Sequence, residues 1–234
     1  MALVPRPLAY ASLRRGVPVI RVGVIALWLV AWPAAAAVDV DLAPYAQAER
    51  SGASAKLSGR IYAERRKPAG PDTPLTGATV VAVPRSEALL QRLQHLREEA
   101  RTSAASYRGA ALLIQKAREA YEKELWQAGA PDLVRATTVD SEGRFDLGPL
   151  PEGRWLVVGT WDQFHDVKGP RTSGQGQDRG KYVKDPRLVG FRARMLWVRE
   201  IALTRAEPAE LELTDRNVWF NGVVEDRVDA GPRH

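Results

Sequence analysis

Cysteine is absent from the 234 residues. A disulfide framework, a thiolate metal site and a lipid-modified cysteine anchor are therefore all closed to this chain. Histidine is scarce: His95, His165 and His234 make up the complement of three. No two of them stand at metal-ligand spacing, so a zinc site would have to draw carboxylates from scattered places. Also missing are a phosphate-binding G-x-x-x-x-G-K-[ST] loop, a G-x-G-x-x-G turn opening a helix, and any nucleophile motif. His165-Asp166, close to Trp161, has the elements of a base with its orienter, but with no nucleophile beside it the histidine reads as a loop residue. The expectation is a protein that is not an enzyme and carries no cofactor and no metal.

Long apolar runs are missing after residue 37. Before it, Arg6, Arg14, Arg15 and Arg21 precede VGVIALWLVAWPAAAA (Val22 to Ala37), which ends in small residues. A basic segment, an apolar segment and an A-x-A site at Ala35-Ala36-Ala37 read as a secretory signal, residues 1–37, cleaved before Val38. An uncleaved anchor is the alternative, although Pro18, Arg21 and Pro33 interrupt the span. The expected location is periplasmic or secreted, with no stable membrane span once the signal is gone. The net charge of +6 includes the four leader arginines, which no acid balances, so the rest of the chain carries +2. A broad basic footprint of the nucleic-acid-binding kind is not there.

Residues 38–55 lack sustained periodicity and read as a flexible linker. From Leu57 onward, short β-branched or aromatic segments alternate with Gly/Pro turns. They are LSGRIYAE, ATVVAVPR, RATTVD, RFDLGPL, RWLVVGTW, RMLWVREIALT and AELELTD, the last running on through NVWFNGVV. Helix formers fill 86–129, between the second and third of these. Within them Leu89, Leu93, Leu96, Tyr107, Ile114 and Tyr121 belong to a 4-3 stripe on one helical face. Ser86 is the expected N-cap, and Gly129 with Pro131 the stop. A single rod of this length would end about 60 Å from its start. The next strand follows within a few residues, so a helical hairpin is expected, bent near Thr102 to Ser106 or at Gly109. The segment 162–186 reads as a long basic loop, and 225–234 as a disordered tail.

The stretch TTVDSEGRFDLGPLPEGRW holds Asp140, Glu142, Asp146 and Glu152. A calcium loop would need an oxygen ligand where Arg144 stands and a glutamate where Pro151 stands. Asp140 as a backbone acceptor with Gly143 at positive φ is instead the chemistry of a hairpin turn, and Pro151-Glu152-Gly153 repeats it.

Four segments in order, Gly59-Arg60-Ile61, Pro74 to Val80, Thr138 to Phe145 and Leu150 to Trp155, resemble the motifs of the carboxypeptidase regulatory-like domain. The resemblance covers most of residues 56–215. This chain departs from the pattern in its helical insertion, its long loop, Trp155 in place of tyrosine, and Val139 between Thr138 and Asp140. The resemblance implies a mainly β fold, a seven-stranded antiparallel transthyretin-like β-sandwich over 56–224, here with an inserted α-helical hairpin. It also implies a non-catalytic module.

Three surfaces are candidates for binding. The helical stripe could meet a protein partner in the cell envelope, which makes the expected function an exported interaction or scaffold module. The basic segment with Lys168, Arg171, Lys181 and Lys184 could meet an anionic envelope polymer. Trp161 and Trp219, near strand ends, could stack a sugar ring, with His165 close by; Trp155 and Trp197 are expected in the core. The alternative function is thus a carbohydrate-binding module using Trp161, Trp219 and the basic loop. A resemblance in fold to collagen-adhesin-like repeats, some of which carry a Lys–Asn isopeptide crosslink between first and last strands, implies a further reading. Lys56 lies near the first strand, with Asn217 and Asn221 near the last, although the flanking motif is missing.

Overall fold

The computed structural model describes residues 38–65, 70–166, 187–205 and 207–228. The expected signal, the basic side chains Lys168, Arg171, Lys181 and Lys184, and the end of the expected tail lie outside the described residues. In chain order the elements are α1 (Ala43–Arg50), β1 (Ser54–Ala63), β2 (Thr73–Pro74), β3 (Thr79–Pro84), α2 (Glu87–Glu99), α3 (Ala104–Gln127), β4 (Arg135–Thr138), β5 (Arg144–Pro151), β6 (Gly153–Asp166), β7 (Arg187–Leu203), β8 (Ala209–Thr214) and β9 (Phe220–Val228). The fold is mainly β, with two sheets and three helices among the described residues.

Nine strands are described where seven were expected. One addition is β2, two residues that pair with Tyr62 and Ala63. The other arises because the seventh strand signal is two strands. β8 ends at Thr214, the Asn217 side chain caps a turn by accepting from the Thr214 N–H, and β9 restarts in the other sheet. The first sheet centres on β1, which pairs antiparallel with β2 and β5 and parallel with β8, so it is not purely antiparallel. The second runs β4-β3-β6-β7-β9, antiparallel throughout.

β1 shows how period-2 patterning sets the layers. Ala55, Leu57, Gly59 and Ile61 face inward, and Lys56, Ser58, Arg60 and Tyr62 face out. A Cβ at Gly59 would lie 2.0 Å from the Leu211 carbonyl oxygen and 2.7 Å from the Phe145 ring, so a glycine is what lets these neighbours close in. Two cores result. Leu57, Ile61, Val80, Phe145, Trp155, Trp197 and Leu213 fill the space between the sheets. Val81, Val83, Leu156, Val158, Leu196 and Phe220 form the opposite face of the second sheet and pack against α2 and α3.

The carboxylates of the turn-rich stretch do act as turn formers. Asp140 Oδ1 accepts from the Glu142 and Arg144 N–H groups at 2.8 Å each, and Gly143 takes φ +80°. The connection is not a hairpin, however, because β4 belongs to the second sheet and β5 to the first. The Leu150-to-Gly153 turn likewise passes the chain back from β5 to β6, between sheets.

The helical segment is a hairpin. Ser86 caps α2, accepting from the Leu89 N–H at 2.9 Å, and Ser103 caps α3, accepting from the Ser106 N–H at 3.0 Å. The break falls at Ala100 to Ser103, so Gly109 lies inside α3. A correction concerns residues 38–55. They are not a linker throughout: α1 occupies Ala43–Arg50 and β1 begins at Ser54. Tyr45 anchors this helix, meeting Trp155 edge-on at 5.5 Å and donating its hydroxyl to the Arg154 carbonyl.

Candidate functional site

The helical stripe is where the sequence expectation changes most. Leu89, Leu93, Ile114 and Tyr121 are buried against the second sheet, Leu96 is half-buried, and Tyr107 overhangs Phe220 with ring centroids 6.0 Å apart. The Tyr121 hydroxyl donates to the Pro84 carbonyl at 3.1 Å, and burial raises its pKa. Most of the stripe is therefore the hairpin's own core face, and of its six residues Tyr107 is the one left exposed. The large apolar side chains that α3 leaves exposed are Tyr107 of the stripe and, outside it, Leu112, Leu113 and Trp126.

The two candidate tryptophans are separated by the second sheet. Trp161 packs against the core between the sheets. Trp219 packs on the helical side, beside Phe220 and beneath the Arg97 guanidinium, whose carbon sits 5.0 Å from the ring centroid. One platform cannot hold both. The residues of the isopeptide reading are engaged elsewhere or lie in the other sheet, as Asn221 does on β9 opposite Met195. Lys56 pairs with Asp146 at 2.8 Å on the first sheet, and the Asn217 amide is spent on its own turn, donating to the Glu212 carbonyl.

Trp161 and His165 do come together, because both are odd-numbered residues of one strand. β6 and β7 pair from Gly153↔Leu203 to Asp166↔Gly190, while β3 pairs with β6 only as far as Thr160. Past that point the sheet continues as β6-β7-β9. Its face on the side of the first sheet carries three cross-strand rows: Trp161, Met195 and Asn221; Gln163, Ala193 and Val223; His165, Phe191 and Glu225. The His165 and Phe191 rings stack at 5.0 Å and 22°. Trp161 and His165 stand about 14 Å apart along the strand at about 3.4 Å per residue. Gln163 is exposed between them, and Trp161, His165 and Phe191 keep part of their surface in solvent. Phe191 was not singled out in the sequence; its place opposite His165 follows only from the β6–β7 register.

The reverse side of the same strands is a charged clamp. Arg194, 7% exposed, donates from Nε and one terminal nitrogen to the two Asp162 carboxylate oxygens, both at 2.6 Å, and from the other to Gln115 of α3. A fork-to-fork pair of this kind is geometrically demanding and strong. Asp162 lies between Trp161 and Gln163, and Arg194 between Ala193 and Met195, so the clamp stiffens the backbone that carries the aromatic rows. Arg192 adds a pair to Asp226 at 2.8 Å. A cavity of about 200 Å³ opens beside the Arg194–Asp162 pair, lined by Thr79, Gln115, Arg118, Thr160, Asp162 and Arg194 among others.

Among the described residues no three His, Asp or Glu side chains gather as they would around a metal ion. His95, on α2, pairs with Glu99 at 3.3 Å in solvent. No described helix is long and apolar enough to cross a membrane.

No family model matches this chain, and no curated protein matches it. The resemblance to carboxypeptidase regulatory-like domains therefore rests on its four motifs. One solved structure similar to it is a crystal structure from Pseudomonas aeruginosa, named as a candidate carbohydrate-binding protein. It shares 14% identity, covers 69% of this chain and 88% of its own, and superposes with a TM-score of 0.38. A likeness of that size places no residue and assigns no site.

Proposed function

We propose that this protein is a non-catalytic carbohydrate-binding module of the cell envelope, with its site on the Trp161–Gln163–His165 face. The observation that carries the reading is the single surface shared by a half-exposed indole, a stacked His165–Phe191 pair and the side chains of Gln163 and Asn221. Sugars offer apolar ring faces edged by hydroxyls. Aromatic rings meet the former, and amides, which both donate and accept, meet the latter. The rows lie on paired strands backed by the Arg194–Asp162 clamp, so little ordering cost remains to oppose binding. The envelope location rests on the leader segment, and the non-catalytic reading on the absence of nucleophile and phosphate-loop motifs in the sequence.

Intrinsic tryptophan fluorescence titrated with a panel of envelope and extracellular polysaccharides tests this. A saturable change is expected, weakened by about tenfold in Trp161→Ala, the scale of one lost aromatic contact. Trp219→Ala should bind as the parent does, because its ring is on the opposite face. Equal loss in both variants, or no change with any polysaccharide, would sink the reading.

A further inference from the structure

The outer face of the first sheet carries a second groove, on residues that play no part in the aromatic face. It has a volume of about 410 Å³ and is lined by Lys56, Ser58, Arg60, Thr137, Arg144 and Glu210 among others. Most of its charged groups are already engaged. Lys56 and Asp146 pair at 2.8 Å. The Lys56 contact and the Gly148 N–H hold the Asp146 carboxyl below the ordinary range. Arg144 pairs with Glu142 at 3.0 Å, and Asp140 accepts the two N–H groups of its turn.

Two groups remain. The Arg60 guanidinium lies over the Tyr62 ring, 5.1 Å from its centroid, with its Nε out of solvent and without an acceptor. Among the described residues no carboxylate pairs with it. Glu210, on the neighbouring strand opposite Ser58, is exposed and makes no ion pair or hydrogen bond among the described residues. A cation and an anion that make no ion pair among the described residues line one groove, on adjacent paired strands, with Ser58 and Thr137 in the same lining.

We infer that this groove binds a sugar acid, its carboxylate on Arg60 and its neighbouring hydroxyls donating to Glu210. A simple carboxylate would answer Arg60 and be repelled by Glu210. A neutral sugar would answer Glu210 and leave the guanidinium without an anion. A carboxylate carried on a hydroxylated ring answers both, and a guanidinium held against an aromatic ring is already oriented for it. The inference does not depend on the aromatic face of the second sheet.

The test is an NMR titration of the isotope-labelled protein with glucuronate, glucose and acetate. Glucuronate should shift the amides of 56–60, 144–146 and 209–211 saturably, with glucose and acetate weaker by about tenfold or more. Arg60→Gln should weaken glucuronate by a similar factor. Glu210→Gln, at an exposed position where folding is not at stake, should weaken glucuronate while leaving acetate unchanged or tighter. Glucose or acetate binding as tightly as glucuronate, or no shift at these amides with any probe, overturns the inference. So does glucuronate binding that survives Arg60→Gln. Shifts confined to 161–165 and 191 would count against this groove while favouring the aromatic face, which keeps the two proposals apart.

Discussion

A carboxylic acid drawn out of water holds its proton longer, and Glu122 of α3 is in that position. Burial raises its pKa, and the Arg118 guanidinium, 2.6 Å away, offsets that only in part. Just above the ordinary carboxyl range the folded chain therefore binds more protons than the unfolded one, and stability falls as pH rises through the raised pKa. Glu122 contributes fully below the unfolded value of about 4.3 and loses that contribution at higher pH. Thermal melts of the parent and Glu122→Gln should differ in that sense, with the parent's relative stability greatest near pH 4 and declining toward pH 7. A difference that stays constant or grows over that range would show that Arg118 compensates the burial in full. Asp146 shifts the opposite way and acts below pH 3.8, outside this window. The sequence carries none of this, since burial of one glutamate on a helix depends on which flank of α3 meets the sheet. Local chemistry was legible: Asp140 as an acceptor, Gly143 at positive φ and Ser86 as a cap each need only their neighbours. Trp161 and His165 on one face were not legible, because residues 162–166 read as the start of a loop and instead continue β6, and neither was Trp219 on the other side of the sheet.

At the scale of elements, the hairpin has a meaning its sequence only half disclosed. The 4-3 stripe, the cap and the stop predicted helix, the short return to the next strand predicted a hairpin, and two helices form. What the stripe packs against was open, and the answer is the second sheet. Replacing Ser86 to Gly129 by a short linker would accordingly do more than remove a surface. It would expose Val81, Val83, Leu156, Val158, Leu196 and Val198, all buried in the complete chain. Apolar surface of that kind drives association in water. The expected result is loss of soluble monomer by size-exclusion chromatography, and a monomeric, cooperatively folding product would refute it. Partner binding through the hairpin is better probed at the exposed Leu113 and Trp126, which can be changed without opening a core. α1 went unread for a related reason. It is eight residues long, its N-cap Leu42 makes no side-chain cap bond, and short helices are marginal on propensity alone. Its stability comes from Tyr45 against Trp155, a contact between positions 110 residues apart. The β8–β9 break was hidden likewise, because exchange of sheets leaves the period-2 pattern intact on both sides of the turn.

For the whole molecule, the second sheet belongs to two cores at once. In β3, Val80 and Ala82 face the first sheet while Val81 and Val83 face the helices, and β6 repeats this with Trp155 and Val157 against Leu156 and Val158. A strand with both faces buried cannot lose one partner layer without weakening its hold on the other, so the layers should unfold as one unit. Urea denaturation followed by tryptophan fluorescence, to which Trp155 and Trp197 in the inter-sheet core contribute, should coincide with far-UV circular dichroism, which reports α2 and α3. Leu57→Ala, which truncates a fully buried side chain between the sheets, costs about 2–5 kcal/mol on the usual scale for such a cavity. It should move both transitions together to lower urea although Leu57 belongs to the inter-sheet core and not to the one beneath the helices. Helical signal lost ahead of fluorescence, or left in place by Leu57→Ala, would mean that the helical layer is an independent cap. The aromatic face depends on the same coupling, since β6 and β7 enter both cores before they extend past β3, and the clamp from Arg194 to Gln115 ties that extension to α3. Cooperative unfolding would mean that the rows of Trp161 and His165 are held from both layers.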